Sequence, residues 1–251
     1  MARSSDFQDR FSHAAPSYAA FRPSYPRELA ESLAALAPSR ALAWDVGAGS
    51  GQLSTLLAES FERVIATDAS REQLSHAIRH PRVEYRVERE AQSSLSDASV
   101  ELITAAQAAH WFDLPAFYAE VRRVAKPRAI VALITYRTAR LEPELTPLFE
   151  RFYAGVLGPH WDPARRHVEN GYAEFAFPFE ELRFPALAIE AELDLRGLLG
   201  YVSTWSALAS LVRAGGASEF ERFERELGAA WGPPDRHRPI EWPLAGRLGR
   251  M

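Results

Sequence analysis

Ala41-Leu42-Ala43-Trp44-Asp45-Val46-Gly47-Ala48-Gly49-Ser50-Gly51-Gln52 is the stretch that decides the fold of this 251-residue chain. A short apolar run that stops at glycines reads as a buried strand ending in a tight turn. Beyond it, Leu53, Leu56 and Leu57 repeat at i, i+3 and i+4, the spacing of one helix face. The junction is therefore strand, turn and helix. A plain turn needs one or two glycines. Three in alternation suit a backbone that approaches a ligand with no Cβ between them.

Working outward, the same strand-and-helix unit recurs. Arg63–Asp68 reads as a second strand, 72–79 as a helix, and Val83–Val87 and 100–105 as strands. A helix over 115–124 opens with proline in its first turn, where the missing N–H costs little, and 129–136 reads as a fifth strand. Short apolar strands alternating with helices imply βαβ units and a parallel sheet covered on both faces. The expected fold is α/β, Rossmann-like and doubly wound, with a mainly parallel seven-stranded sheet and a small helical cap. Upstream, residues 1–40 are polar and aromatic with prolines at 16, 23 and 26, and Leu29, Leu33 and Leu36 mark a helix over 27–36. Beyond Tyr136 the spacing predicts a helix over 143–156, an aromatic loop over 158–163, a strand over 188–195, helices over 197–213 and 218–231, and a short strand at 240–242. The chain divides as one domain over 1–251: an N-terminal lid segment (1–40), a cofactor-binding core (41–136), and a cap with the completion of the sheet (137–251).

Composition narrows the chemistry. At 47% hydrophobic and 25% charged residues the chain can build a substantial core. It has no cysteine, which excludes disulfides, thiolate metal sites, iron–sulfur clusters and a thiol nucleophile. Seven histidines without H-x-x-H spacing predict no metal site. A net charge of −4 offers no general attraction to nucleic acid. Apolar runs fall short of the ~18 residues of a membrane span, so a cytoplasmic protein with no membrane partner is expected.

The loop also discriminates among cofactors. A dinucleotide fingerprint would place its third glycine at position 52, which is Gln52; the glycines run 47, 49, 51 instead. Pyrophosphate needs helix N-terminal N–H groups to meet its charge. S-adenosylmethionine has no phosphate and needs only close packing. Asp45 stands where a carboxylate can meet a ligand ammonium, directly or through water. Asp68, with Ala69 after it, ends the second strand, where an acid accepts hydrogen bonds from ribose hydroxyls. Asp68 could equally cap the helix after Ser70; its pairing with the loop favours the ribose.

Further segments carry a resemblance. Phe11-Ser12-His13-Ala14-Ala15-Pro16-Ser17-Tyr18, Phe21-Arg22-Pro23-Ser24-Tyr25-Pro26, the loop at 45–52, Gln107-Ala108-Ala109-His110-Trp111-Phe112-Asp113, Gly200 to Ala207 and Glu241-Trp242-Pro243-Leu244 span nearly the whole chain. Together they resemble class I S-adenosylmethionine-dependent methyltransferases of type 11, in the small-molecule group similar to trans-aconitate methyltransferase. The resemblance implies that Gly47, Ala48, Gly49 and Gly51 hold the cofactor, that Glu90, Ala91 or Gln92 meets adenine, and that Gln107 passes the cofactor's amino-acid end. His110 is a candidate base or substrate contact, and Trp111 a wall of the site. Tyr18, Arg22 and Tyr25 either cover an apolar surface or close over the ligand, with Tyr18 near the sulfonium, Arg22 pairing a carboxylate and Tyr25 toward the substrate. Trp205 is either core or substrate wall. Two departures stand out: Lys126-Pro127-Arg128-Ala129 lacks the glycines usual in that turn and suggests a different turn geometry, and Glu101 replaces a common Asp without consequence. The expected partner is a small-molecule methyl acceptor, favoured as a carboxylate that is O-methylated, on a monomer or homodimer. The rivals are an NAD-dependent oxidoreductase and a non-catalytic cofactor-binding protein.

Overall fold

Side chains alternate across the strands, and that alternation sets the layers of the computed structural model, which describes residues 24–251. Five parallel strands form its centre: β1 (Leu42–Val46), β2 (Arg63–Asp68), β3 (Val83–Val87), β4 (Val100–Ala106) and β5 (Ala125–Tyr136). Successive residues go to opposite faces, the period of a strand. Ala43, Leu102, Ile130, Ala132 and Ile134 enter one core, while Trp44, Ile103, Val131 and Leu133 enter the other. Burial on both faces is what near-continuous apolar runs dictate.

The order across the sheet is β3-β2-β1-β4-β5, then β8 (Arg238–Arg250), then β6 (Glu180–Leu182). That gives the seven expected positions in the sheet. An eighth strand, β7 (Ala188–Leu193), pairs with the first half of β8 while β6 pairs with its end, so the outer edge is built in two pieces. β8 runs antiparallel to β5, from Tyr136↔Leu244 to Ile130↔Arg250.

Helices cover both faces. On one side lie α1 (Arg27–Leu36), which buries Leu29, Ala30, Leu33 and Ala34, and α2 (Gln52–Ser60), which buries Leu53, Leu57 and Ala58. On the other lies α4 (Leu114–Val124), capped by the Asp113 carboxylate, which accepts the Ala116 N–H. Between them in sequence is α3 (Arg71–Ser75), which ends four residues before the expected boundary: Pro81 biases His80 away from helical backbone, and the segment turns into β3.

Residues after Tyr136 depart further from expectation. The helix expected over 143–156 is α5 (Thr146–Glu150) followed by a π-helical turn over Arg151–Val156, closed by Leu157 N–H donating to the Phe152 carbonyl. Then come a 3-10 turn at Gly158–His160 and the short α6 (Arg165–Glu169). The single helix expected over 197–213 is two, α7 (Leu195–Ser203) and α8 (Ser206–Arg213), broken where the Thr204 hydroxyl bonds back to the Tyr201 carbonyl and Trp205 turns extended. A last helix, α9 (Ala217–Trp231), precedes β8. The expected strand at 240–242 is only the start of that 13-residue strand, because Pro243, Gly246 and Gly249 read as breakers. Pro243 lacks a donor but its carbonyl accepts the Arg137 N–H, so it fits.

Two departures from the family pattern resolve in the same way. In the turn before the fifth strand Arg128 stands at φ +66°, a left-handed backbone without a glycine, and β5 runs through it from Ala125. Glu101 is fully buried and accepts from the Leu42 N–H and Ser39 hydroxyl, each at 2.8 Å, with Lys126 paired to it. It ties the start of β1 to β4. Among the described residues no helix is long and apolar enough to cross a membrane.

Phe117 on α4 is fully buried and packs against Trp44 of β1 and Phe112 below the sheet's upper end. Phe117→Ala leaves a cavity there and should cost about 3–5 kcal/mol of unfolding free energy. Denaturant unfolding checks this, and a loss below about 1 kcal/mol would mean that the layer repacks freely.

Candidate functional site

At the carboxyl ends of β1, β2 and β4, where the strand order reverses from β1 outward in both directions, the sheet opens into a cavity of about 460 Å³. Ligands in open α/β sheets bind at such a switch point, and the volume lies within the range of about 300–1,000 Å³ for small-molecule sites.

The floor is the glycine turn. Gly47, Gly49 and Gly51 have φ of +67°, +55° and +79°, a left-handed backbone that L side chains rarely adopt. The reasons for glycine differ by position. A Cβ on Gly47 would lie 2.5 Å from the Ala108 Cβ, so this glycine lets the loop after β4 pack beside the loop after β1. A Cβ on Gly51 would lie 2.1 Å from the Tyr85 hydroxyl. Gly47, Ala48 and Gly49 line the cavity, whereas Gly51 does not. Gly51, expected to hold the cofactor, is buried against Tyr85 and stands at the N-cap of α2.

Asp68 holds the turn in place. Its Oδ2 accepts the Gly49 N–H at 2.9 Å and its Oδ1 the Ser70 N–H at 2.8 Å. The competing reading, Asp68 as helix cap, does not hold, since the Ser70 hydroxyl caps α3 by accepting from the Gln73 N–H. Asp68, Ala69, Ser70 and Gln73 all line the cavity. Asp45 lies deeper and is 1% exposed, with Oδ2 accepting from Ser54 at 2.6 Å and Oδ1 from Thr104 at 2.7 Å. Burial pushes its carboxyl up to about 6, against the two hydroxyls that lower it, and the Asp68 charge adds to the rise.

After β3 the chain folds into a tight turn in which Gln92 N–H donates to the Arg89 carbonyl. Of the residues expected near adenine, Glu90 lines the cavity together with Arg89, and Ala91 and Gln92 do not. After β4, Gln107 adopts φ +55°, donates its N–H to the Ile134 carbonyl and lines the cavity with Ala106 and Ala108. His110 sits in the turn that follows, its Nδ1 3.1 Å from the Tyr172 hydroxyl and its ring beside Trp111. Burial first, then the positive charge of Arg165, holds His110 down to about 3, so the ring is neutral at physiological pH. Trp111 is 41% exposed at the rim.

The roof is aromatic. Tyr25 and Tyr136 face one another at 6.4 Å, and Trp161 and Trp205 at 5.6 Å. Trp205 is buried in the core against Phe149, Tyr153 and Tyr201, and it also lines the cavity. Tyr18 and Arg22 lie outside the described residues. Ser206, read with Trp205 as a candidate for the substrate wall, lines the cavity too; the structure adds Trp161, Asp162 and Arg165, to which the sequence reading gave no role. The loop's aromatic and charged composition was the only available signal, and a five-residue helix has too short a period to orient Arg165. No group of three or more metal-binding side chains occurs among the described residues.

Comparison with known proteins agrees with this geometry. Residues 44–133 match a family model described as a methyltransferase domain. A Dictyostelium discoideum protein bearing a methyltransferase name is 31% identical over 233 residues, which cover 91% of this chain and 89% of that one. An uncharacterized methyltransferase of Mycobacterium tuberculosis is 33% identical over 166 residues, 65% of each chain. Among solved structures, a type II methyltransferase from Anaeromyxobacter dehalogenans is 47% identical with a TM-score of 0.88, covering 92% of this chain and 98% of that one.

The buried Asp45 generates a pH dependence of stability. Its carboxyl titrates near 6 when folded against 3.8 as the unperturbed value, so between these values the folded chain keeps a proton that the unfolded chain has released. Stability from this group is therefore lost as pH rises through that window. The stability of Asp45→Asn relative to the parent should increase by about 2 kcal/mol between pH 4 and pH 7. A difference that stays constant across that range in urea titrations would show that Asp45 titrates normally.

Proposed function

Because this chain belongs to the class I S-adenosylmethionine-dependent methyltransferases, we propose that its cavity binds the cofactor along the glycine turn and presents it to a small-molecule acceptor under the aromatic roof. In this reading residues 41–136 carry the cofactor and residues 137–251 supply the roof and complete the sheet, within one catalytic unit. Family membership sets aside the NAD-dependent oxidoreductase, whose fingerprint the chain lacks at Gln52.

The observation that carries the assignment is the Asp68 carboxylate. Its two oxygens hold the Gly49 and Ser70 N–H groups at the end of β2, and the residue lines the cavity beside the glycine turn, where a carboxylate can accept from ribose hydroxyls. The other residues fit the rest of the cofactor. Gly47 and Gly49 allow close packing, Asp45 supplies negative potential for an ammonium group, and Glu90 stands on the adenine side. Gln107 belongs to the methionine end.

When bound, the cofactor supplies a methyl group on a positively charged sulfur, a carbon already open to in-line displacement. The chain's own task is then to align the acceptor, exclude water and balance charge. Trp111, Trp161 and Trp205 supply the apolar area that keeps water out. His110 is a weak base, because protonating it would place a charge in a buried site beside Arg165. With Nδ1 held by Tyr172 and the ring kept neutral, its role in this reading is to contact the acceptor. An acceptor already ionised at neutral pH needs no base, and this supports carboxylate O-methylation as the acceptor chemistry.

Isothermal calorimetry should show S-adenosylhomocysteine binding and no NAD binding, with Asp68→Ala weakening the first by at least about tenfold. Unchanged affinity in that variant would remove Asp68 from the ribose site. With labelled cofactor and a panel of small carboxylic acids, base-labile methyl esters should form, and any step in kcat/KM between about pH 5.5 and 8 should persist in His110→Gln. A step near pH 6.5 that is lost in His110→Gln would instead make His110 the base.

A further inference from the structure

Arg165 brings a sheltered positive charge to the roof of the cavity. It reaches the roof from α6, and its side chain is 18% exposed. Its Nε donates to the Tyr153 hydroxyl at 3.2 Å, and the same hydroxyl donates to Glu169 at 2.6 Å. Its guanidinium lies over the Trp161 ring, 4.9 Å from the centroid. Among the described residues, nothing hydrogen-bonds to its two terminal nitrogens.

Other sheltered arginines of this chain show what structural duty looks like. Arg247, also 18% exposed, spends its terminal nitrogens on Glu181 and on the carbonyls of Tyr172, Ala173 and Phe175. Arg238 is engaged by Glu142, Glu144 and the Trp231 carbonyl. Arg123 is engaged by Glu120, Asp97 and the carbonyls of Leu95 and Ser93. Arg165 alone of these four is fixed by its Nε and its stacked face while the fork stays open. A guanidinium fork matches a carboxylate bidentately. The acids nearby do not fill it: Glu169 lies 3.9 Å from Nε, and Asp162 Oδ1 accepts the Ala164 N–H.

We propose that Arg165 anchors an anionic group of the methyl acceptor, with the Trp161–Trp205 surface taking a planar, apolar body. The proposal rests on the methyltransferase reading above and adds a specificity residue that comes from the roof. An anionic group held by both fork nitrogens directs its lone pairs into the guanidinium. The held group is therefore the handle, and the methylated atom belongs to another part of the acceptor, nearer Gln107 and His110. If the reaction is carboxylate O-methylation, the acceptor carries at least two acidic groups.

Benzoate and its neutral counterpart benzamide test the anchor on the full chain, read by quenching of tryptophan fluorescence with and without saturating S-adenosylhomocysteine. Benzoate should bind saturably and about ten- to a hundredfold more tightly than benzamide, the preference expected of a charge-assisted pair. Arg165→Gln should abolish the preference, Arg165→Lys should restore part of it, and S-adenosylhomocysteine affinity should stay the same in both. Equal binding of acid and amide to the parent protein overturns the proposal without any variant. So does a preference retained in Arg165→Gln, or no saturable binding of benzoate or of the larger 2-naphthoate. A parallel loss of S-adenosylhomocysteine affinity would assign Arg165 to the cofactor's own carboxylate and overturn it too. Should the parent bind no S-adenosylhomocysteine, the cofactor reading fails, while the acid-against-amide comparison in its absence still decides the anchor.

Discussion

One carboxylate, that of Asp68, joins the two strand ends on which the cavity is built. β1 and β2 lie side by side with Val46 opposite Thr67, and the Thr67 carbonyl accepts from both Gly47 and Ala48 as the chain leaves the sheet. Asp68 then takes the N–H of Gly49 on one oxygen and that of Ser70 on the other. A backbone with three left-handed glycines loses more conformational freedom on folding than one with side chains. These charge-assisted bonds help offset that loss. Asp68 also lines the cavity, so in the proposed reading the rigidity of the turn and the recognition of the cofactor depend on one group.

The layers of the sheet were legible because their signal is local. Strand alternation at Ala43/Trp44 and Leu102/Ile103 and the i, i+3, i+4 spacing after Gly51 report burial directly. The glycine turn and Asp68 were legible for the same reason, since chirality and chain reversal restrict which residues can stand there. What stayed hidden depends on distant partners. Gly51 looks identical to Gly47 in sequence, yet one meets Tyr85 and the other Ala108, and only the second belongs to the cavity. Arg128 took a left-handed backbone with no glycine to announce it. The long β8 was masked by a proline and two glycines that the neighbouring strands accommodate.

The roof shows why substrate-facing residues are harder to read than cofactor-facing ones. It is assembled from short pieces: a π turn, a 3-10 turn and a five-residue helix, none long enough to impose a period. π turns widen a helix locally and recur at functional sites. Here the widened turn carries Tyr153, which touches Trp161, Trp205 and Arg165 at once. Such a roof tolerates replacement of one piece without disturbing the sheet, which suits a scaffold that keeps its cofactor and changes its acceptor.

The position of β8 bears on how the molecule is made. β5 has its outer side covered only by residues 244–250, more than 100 positions later in the chain. Until that segment has been synthesised, a strand whose last eight residues are all buried in the finished sheet presents an open edge. Non-local pairings of this kind form slowly, and an unpaired apolar edge is a template for other chains. Between synthesis of β5 and arrival of β8, the nascent chain therefore carries an exposed apolar edge that the finished molecule does not.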